Sequence, residues 1–516
     1  MEYLIEGESR IWGRNTANSE TPLQKVGMLG IVRDRVRGPA GRLRIACAAA
    51  VCVCLAGCTI LDPNVPSPEL EVPNLFVNQK GAAPSTATPY DFVAFRSKHL
   101  NELIALGRGF NFDVGAAIAR IQEAEAQVRI AEQQLIPTIT TSGTGASQSL
   151  APGRGRTTTV TAALSGTYAV DIWGQYRSLL FAAKASEWNA SFAAAVTTIT
   201  TDASIATTYF QTIGALAQIE IAKRNLAAAQ SILKAIRDRF AQGTASGLDV
   251  AQQETLVANV AVTIPPLERN LLQFQYALAV LVGQAPEFFR YKGEKLFSVT
   301  VPAIPSGLPS DLLCRRPDIA SAEAQLSAVK FNVSSARAAM FPAIQLTGQG
   351  GFQSAALASL FQPQSAFYNM AVGITQPITN EYGLQAQLDL QKATYGELLQ
   401  TYRKTIFSAF QNVESTLIAY KKDAQQERLQ HEAVISARRA FELSEQQLKG
   451  GIIDVTTLLQ VQQSLFTSEI AYAQIRQTRL LDAVSLYQAL GGGWYKPGGA
   501  GIAEVASVIE VKAKTP

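Results

Sequence analysis

The segment DVGAAIARIQEAEAQVRIAEQQLIPTI at 113–139 lines up without gaps on DIASAEAQLSAVKFNVSSARAAMFPAI at 318–344. Asp113 matches Asp318, Pro137 matches Pro342 and Ile139 matches Ile344 at one constant offset. Such self-similarity marks an internal duplication. Each copy reads as a helix stopped by proline, then a strand region, then a much longer helix.

Punctuation sets the length of those helices. No proline falls between Pro152 and Pro265, and from Gln175 to Phe240 the sole glycine is Gly214. From Leu384 to Lys449 there is again no proline and one glycine, Gly396. Both intervals are rich in helix-forming residues and equal in length. At 1.5 Å per residue each spans roughly 100 Å, so the two rods must pack along neighbours.

A turn follows each rod: FAQGTASGLDV at 240–250 and LKGGIIDVTTL at 448–458. Gly243 and the Gly450–Gly451 pair stand where a helix end favours a left-handed residue. Asp249 and Asp454 stand where the next helix wants an N-cap. The chain therefore doubles back twice, giving helical hairpins over 175–283 and 384–490 within repeats 113–312 and 313–494. In the second return helix Leu459, Phe466, Ala473, Leu480 and Tyr487 recur at seven-residue steps. Leu458, Leu465, Tyr472 and Leu486 flank them, and Gln462, Gln463, Glu469, Arg476 and Gln477 lie between. That pattern predicts one packed face and one wet face.

The strand regions alternate. In 157–170 Val160, Ala162, Leu164, Tyr168 and Val170 interleave with Thr159, Thr161, Ser165 and Thr167. In 343–353 Ile344, Leu346 and Phe352 interleave with Gln345, Thr347, Gln349 and Gln353. In 367–378 Tyr368, Met370, Val372 and Ile374 interleave with Asn369, Thr375 and small residues, whereas 138–149 is uniformly small and polar and leaves its facing open. Alternating strands of about 10 residues suit an outer-membrane barrel, although soluble sandwiches alternate too. Four strands, in hairpins 138–170 and 343–378, cannot close a barrel, since roughly eight are the minimum. Oligomerisation has to supply the others.

Four of the five cysteines crowd into IACAAAVCVCLAGCTI at 45–60, behind Arg33, Arg35, Arg37, Arg42 and Arg44. A basic stretch, a short apolar run and small residues before a cut site make a secretory signal. The run is too short to span a bilayer, and residues 1–57 are read as removed, with Met28 a plausible true start. The 45 lysines and arginines against 41 acidic residues give a formal charge of +4, mostly within residues 1–57, so no basic footprint for nucleic acid remains.

The ending Leu55-Ala56-Gly57-Cys58 resembles the bacterial lipobox. Together with the duplication, GLPSDLLCRRPDIASAEAQL (307–326), YAVDIWGQYR (168–177), ALAVLVGQAPE (277–287) and YQALGGGW (487–494), it resembles the TolC-type outer membrane factors, specifically their OprM/NodT lipoprotein branch. The resemblance covers about residues 45–495. It implies an α+β membrane protein: a homotrimer whose protomers each give four strands to one twelve-stranded outer-membrane β-barrel, continued by a long periplasmic α-helical barrel. Function follows from the same resemblance: the passive exit duct of a tripartite efflux system for small molecules, joined by a periplasmic adaptor to an inner-membrane transporter. Export of protein as a type I secretion duct is the alternative. Departures are Cys314, where the family usually has arginine, and Ala169, where it often has glutamate.

The resemblance also places roles on residues. Cys58 becomes the acylated first residue of a lipidated segment, 58–112, held on outer-membrane lipid. Gly243, Leu248, Gly451 and Val455 lie at the far tips, where the family meets its adaptor. Thr456, Gln460 and Gln463 take the positions of a narrowing that commonly carries leucine, aspartate and arginine. Asp454 sits close enough to restore charge, though its place before VTTLL favours an N-cap. Residues 495–516 read as a flexible tail.

Catalysis finds no footing. His99 and His431 stand in no metal or nucleophile-base context, and His431 reads as a solvated surface residue. The glycines of GQGGF at 348–352 lie inside an alternating strand, so they are not a phosphate loop. Trp173 reads as an interfacial aromatic at a barrel rim. No cofactor or metal is expected. A lipidated periplasmic adaptor also carries a long helical hairpin, but the duplication counts against that reading.

Overall fold

The computed structural model describes residues 65–66, 92–149, 156–291, 294–303 and 313–494. Cys58, the leader 1–57, the turn at Gly153–Gly155 and the tail 495–516 lie outside the described residues.

Each repeat runs helix, strand pair, long helix, return helix. In the first, α1 (Lys98–Phe110) and α2 (Phe112–Gln133) precede β1 (Thr138–Ser149) and β2 (Arg156–Val170). Then α3 (Gln175–Ala241) runs unbroken for 67 residues. Its return is split into α4 (Gly247–Val262) and α5 (Ile264–Leu281). Pro265 and Pro266 open α5, where missing N–H groups cost nothing, and the break falls just before them. The second repeat has α6 (Pro317–Ala338), β3 (Ala343–Ser354), β4 (Ala366–Thr375), α7 (Glu381–Lys449, 69 residues) and an unsplit return, α8 (Val455–Ala489). Thus α3 and α7 match the glycine- and proline-poor intervals, at about 100 Å each.

The strands form one antiparallel sheet in the order β1-β2-β3-β4. Its register sorts the side chains by face. Tyr168 pairs with Leu346 and Leu346 with Val372, while Val170 pairs with Ile344 and Ile344 with Ile374. Leu164–Gly350–Tyr368 and Gly166–Gly348–Met370 fall in the same phase. The intervening rows are Thr138–Thr167–Thr347–Ala371 and Thr140–Ser165–Gln349–Asn369. One face is therefore apolar and the other polar. The register also settles β1: Ile139, opposite Gly166, lies on the apolar face and Thr138 on the polar one.

The largest apolar cluster lies where α1, α3 and α8 converge. Tyr209, Phe210 and Ile213 of α3 meet Leu480, Val484 and Tyr487 of α8. Upstream of α1, Phe95 packs at 5.1 Å from the ring of Phe210 and Phe92 at 4.8 Å from that of Tyr487. The short turn Phe92–Phe95 ahead of α1 is thus pinned to the long helices.

Sequence signatures at the two ends of the second repeat touch. Arg316 grips Asp318 through two bonds of 3.0 and 2.6 Å and donates to the Ala489 carbonyl at 2.8 Å. Gly491 follows α8 so closely that a β-carbon there would lie 2.1 Å from the Arg315 carbonyl oxygen. The RRPDI and ALGGGW stretches are one closure. At the sheet's junction with α3, the Trp173 indole N–H donates to the Pro342 carbonyl at 2.8 Å and its ring stacks on Phe341.

Candidate functional site

Three surfaces carry the chemistry: the sheet, the inner stripe of α8, and the tips. On the sheet, Tyr368, Met370, Val372 and Ile374 of β4 are all exposed, Met370 to 84%. Leaving such side chains in water forfeits about 1.5–3 kcal/mol each. A lipid bilayer removes that cost, whereas the Thr, Ser, Asn and Gln rows of the other face suit water. Among the described residues no helix is long and apolar enough to cross a membrane.

The buried seam of α8 is not quite the one the heptad reading placed. Val455, Leu458, Gln462, Leu465, Glu469 and Ala473 are buried. Spacings of three and four from Val455 run through Gln462 and Glu469, which the heptad pattern alone assigns to the wet face. Glu469 is buried because two arginines reach it. Arg224 of α3 donates at 2.9 Å and Arg438 of α7 at 2.6 Å. One carboxylate thus ties α8 to both rods. Arg476 and Gln477 are also drawn into contacts, Arg476 on Glu427 and Gln477 on Gln218.

The wet stripe consists instead of Thr456, Gln460, Gln463 and Thr467, all exposed on one side of α8. The three residues expected at the narrowing therefore share a face. Neutral amides and hydroxyls there offer hydrogen bonds but no fixed charge.

Each tip is a tight reversal. Gly243 and Gly451 have φ of 74° and 70°, and Gly450 stays right-handed at −81°. Asp454 is an N-cap, accepting from the Thr457 N–H at 2.8 Å. Hydrogen bonds from Thr457 hold its exposed carboxyl below the ordinary carboxylate range. Asp249 is not the cap: Ser246 is, and Asp249 closes a capping box by accepting the Ser246 N–H at 2.8 Å. Leu248 is exposed, whereas Val455 is buried and cannot present its side chain to a partner. Ile452, 75% exposed, is the apolar side chain this tip presents to solvent. An apolar residue between a glycine turn and a cap was the available signal.

His431 is exposed and its ring lies 5.2 Å from that of Tyr472. No group of acids, cysteines and histidines among the described residues could hold a metal.

The chain matches the family model described as outer membrane efflux protein over residues 104–284 and 308–492, one stretch for each repeat. The pyoverdine export outer membrane protein OpmQ of Pseudomonas aeruginosa is 35% identical over 416 residues, spanning 78% of this chain and 86% of that protein. The toluene efflux pump outer membrane protein TtgC of Pseudomonas putida is 31% identical, over 86% of this chain and 94% of its own. The crystal structure of the open state of the Neisseria gonorrhoeae MtrE outer membrane channel superposes with a TM-score of 0.77 at 26% identity, over 84% of this chain and 99% of that one. The duplicated repeats, the two-faced barrel strands and the continuous helical rods are those of such channels, and the chain belongs to the outer membrane efflux protein family, whose members are outer-membrane channels for efflux.

Proposed function

We propose that three copies of this chain form one duct, anchored by lipid on Cys58, that carries small molecules passively from a periplasmic assembly to the cell exterior. The observation that carries this reading is the register of the sheet. Four strands with one apolar and one polar face leave β1 and β4 as open edges, and closure needs further strands. Three identical sheets joined edge to edge make a twelve-stranded barrel with lipid outside and water inside. The rods then continue the wall as a periplasmic helical barrel.

Its tips, with Gly243, Leu248, Gly451 and exposed Ile452, meet a periplasmic adaptor, which links the duct to an inner-membrane transporter. The stripe Thr456, Gln460 and Gln463 lines the narrowing, and Asp454 serves as the cap of α8. Relatives named for pyoverdine and for toluene share this scaffold, which suits a duct that leaves selection to its pump. Small-molecule export is favoured over protein secretion by those relatives.

Single-channel recording of the purified protein in planar bilayers tests the reading. The expected result is discrete steps with weak cation preference and little block by divalent ions, because the rings of Thr456, Gln460 and Gln463 carry no charge. Strong cation selectivity with tight divalent block, lost in Asp454→Asn, would show a charged ring at the narrowing instead.

A further inference from the structure

The seam between α7 and α8 carries a run of charge where the segment 294–303 crosses it. Towards the tips, Glu427 accepts from Arg476 at 3.1 Å and from Arg479. Arg476 also donates to the Val299 carbonyl at 2.6 Å, and Tyr420 to that of Pro302 at 2.5 Å. Towards the sheet, Val413 and Leu417 of α7 close on Leu486 of α8 and on Leu490 just past its end. These flanking contacts fix the antiparallel register, and between them Asp423 falls opposite Asp482. Both are half-buried, and Oδ2 of Asp482 is buried without a hydrogen-bond partner. Arg479, the cation that acts on Asp482, pairs with Glu427 through one nitrogen, while its Nε is buried without a partner.

We propose that Asp423 and Asp482 form a proton-binding site, sharing one proton while α7 and α8 are packed and losing it when the helices part. Two carboxylates facing each other in a half-dry seam cannot both ionise cheaply, and one proton turns the repulsion into a hydrogen bond. Burial, then the facing Asp423 carboxyl, push the Asp482 carboxyl up to about 7 against the pull of Arg479. Arg479 apart, the other charged and titratable groups at this level have partners of their own or face solvent. From α7, Tyr420 is bonded to Pro302, Glu427 is matched by two arginines, and Lys421 and Lys422 are exposed. From α3, Tyr209 shares a hydrogen bond with Ser97. From the crossing segment come carbonyls, while Glu294 acts on Tyr209 and Tyr291.

The sign follows from linkage. The packed pair binds its proton more tightly than separated carboxyls do, so the seam weakens as pH rises from the ordinary carboxylate range towards 7 and is level above it. The site would make the α7–α8 hairpin loosen in neutral surroundings and tighten in acid.

Hydrogen exchange of the full-length protein in nanodiscs tests this without any transport measurement, so its failure would leave the duct reading untouched. After correction for intrinsic exchange, α7–α8 peptides around Asp423 and Asp482 should lose protection by up to about tenfold per pH unit between about pH 5 and pH 7. Asp482→Asn and Asp423→Asn, each leaving one carboxyl beside an amide, should flatten that slope while matching wild-type protection at the acid end. A flat wild-type profile, or either variant retaining the slope, overturns the proposal. Should neither variant assemble, difference infrared spectra of the wild type decide. A carboxylic acid band titrating near 7 supports the site, and its absence overturns it.

Discussion

Removing Glu469 should release α8 from both long helices. Its side chain is 6% exposed, while Arg224 and Arg438 are 56% and 54% exposed. Glu469→Ala deletes two charge-assisted bonds, each about 1.5–3 kcal/mol in a dry setting. Both arginines can turn to water, which discounts the pair to about 1–2 kcal/mol. Relief of the buried carboxylate's desolvation offsets part of that, and loss of the one buried methylene beyond Cβ, about 0.8 kcal/mol, restores most of it. The net expectation is about 1.5 kcal/mol, or about tenfold in the local opening constant. Glu469→Gln keeps the packing and one acceptor and should lose about half as much. Hydrogen exchange across α8 residues 462–476, measured at fixed pH and salt, gives the local free energy directly. A change below about threefold in Glu469→Ala would show that the two ion pairs do not hold the helix. The same variant should raise single-channel conductance, since the proposed narrowing runs along the wet stripe of α8.

Other perturbations have definite outcomes. At Gly214 of α3 a β-carbon would lie 2.1 Å from Oε1 of Gln477, so Gly214→Leu should wedge α8 outwards and lower the melting temperature, while Gly214→Leu with Gln477→Ala recovers part of the loss. Leu248→Asp with Ile452→Asp should leave trimers intact but abolish cross-linking to the adaptor, and normal capture would remove the tips from docking. Gly451→Trp forces a bulky residue into a left-handed turn and should also abolish capture. The Asp454 cap stabilises α8 above the ordinary carboxylate range and is lost as pH falls through its lowered value, so protection of the first turn of α8 should drop only in acid and not at all in Asp454→Asn.

The long rods were legible because absence is a strong signal: a stretch without proline and with one glycine has little alternative to helix. Period-two alternation exposed three strands, but β1, small and polar throughout, acquired its facing only from pairing with β2. Heptad reading of α8 found the packed side in outline and misplaced Gln462 and Glu469, since an acid is read as wet until its partners are known. Those partners, Arg224 and Arg438, lie on other helices, where no local pattern reaches. Residue type alone favours Asp249 as a cap, but Ser246 takes the position because its side chain sits at the residue where the chain enters the helix. Val455 looked like part of the tip from position alone, yet the first turn of α8 already faces its neighbours.

The most direct test of the account is the phase of β4 in the membrane. Single cysteines from 367 to 374, in a Cys314→Ser background, are exposed in reconstituted liposomes to a membrane-impermeant thiol reagent. Asn369, Ala371 and Gly373, which share a face with Gln349, Thr347 and Gln345, should label. Tyr368, Met370, Val372 and Ile374, on the apolar face, should not. Uniform labelling along the strand, or labelling in the opposite phase, would contradict a barrel with water inside and lipid outside.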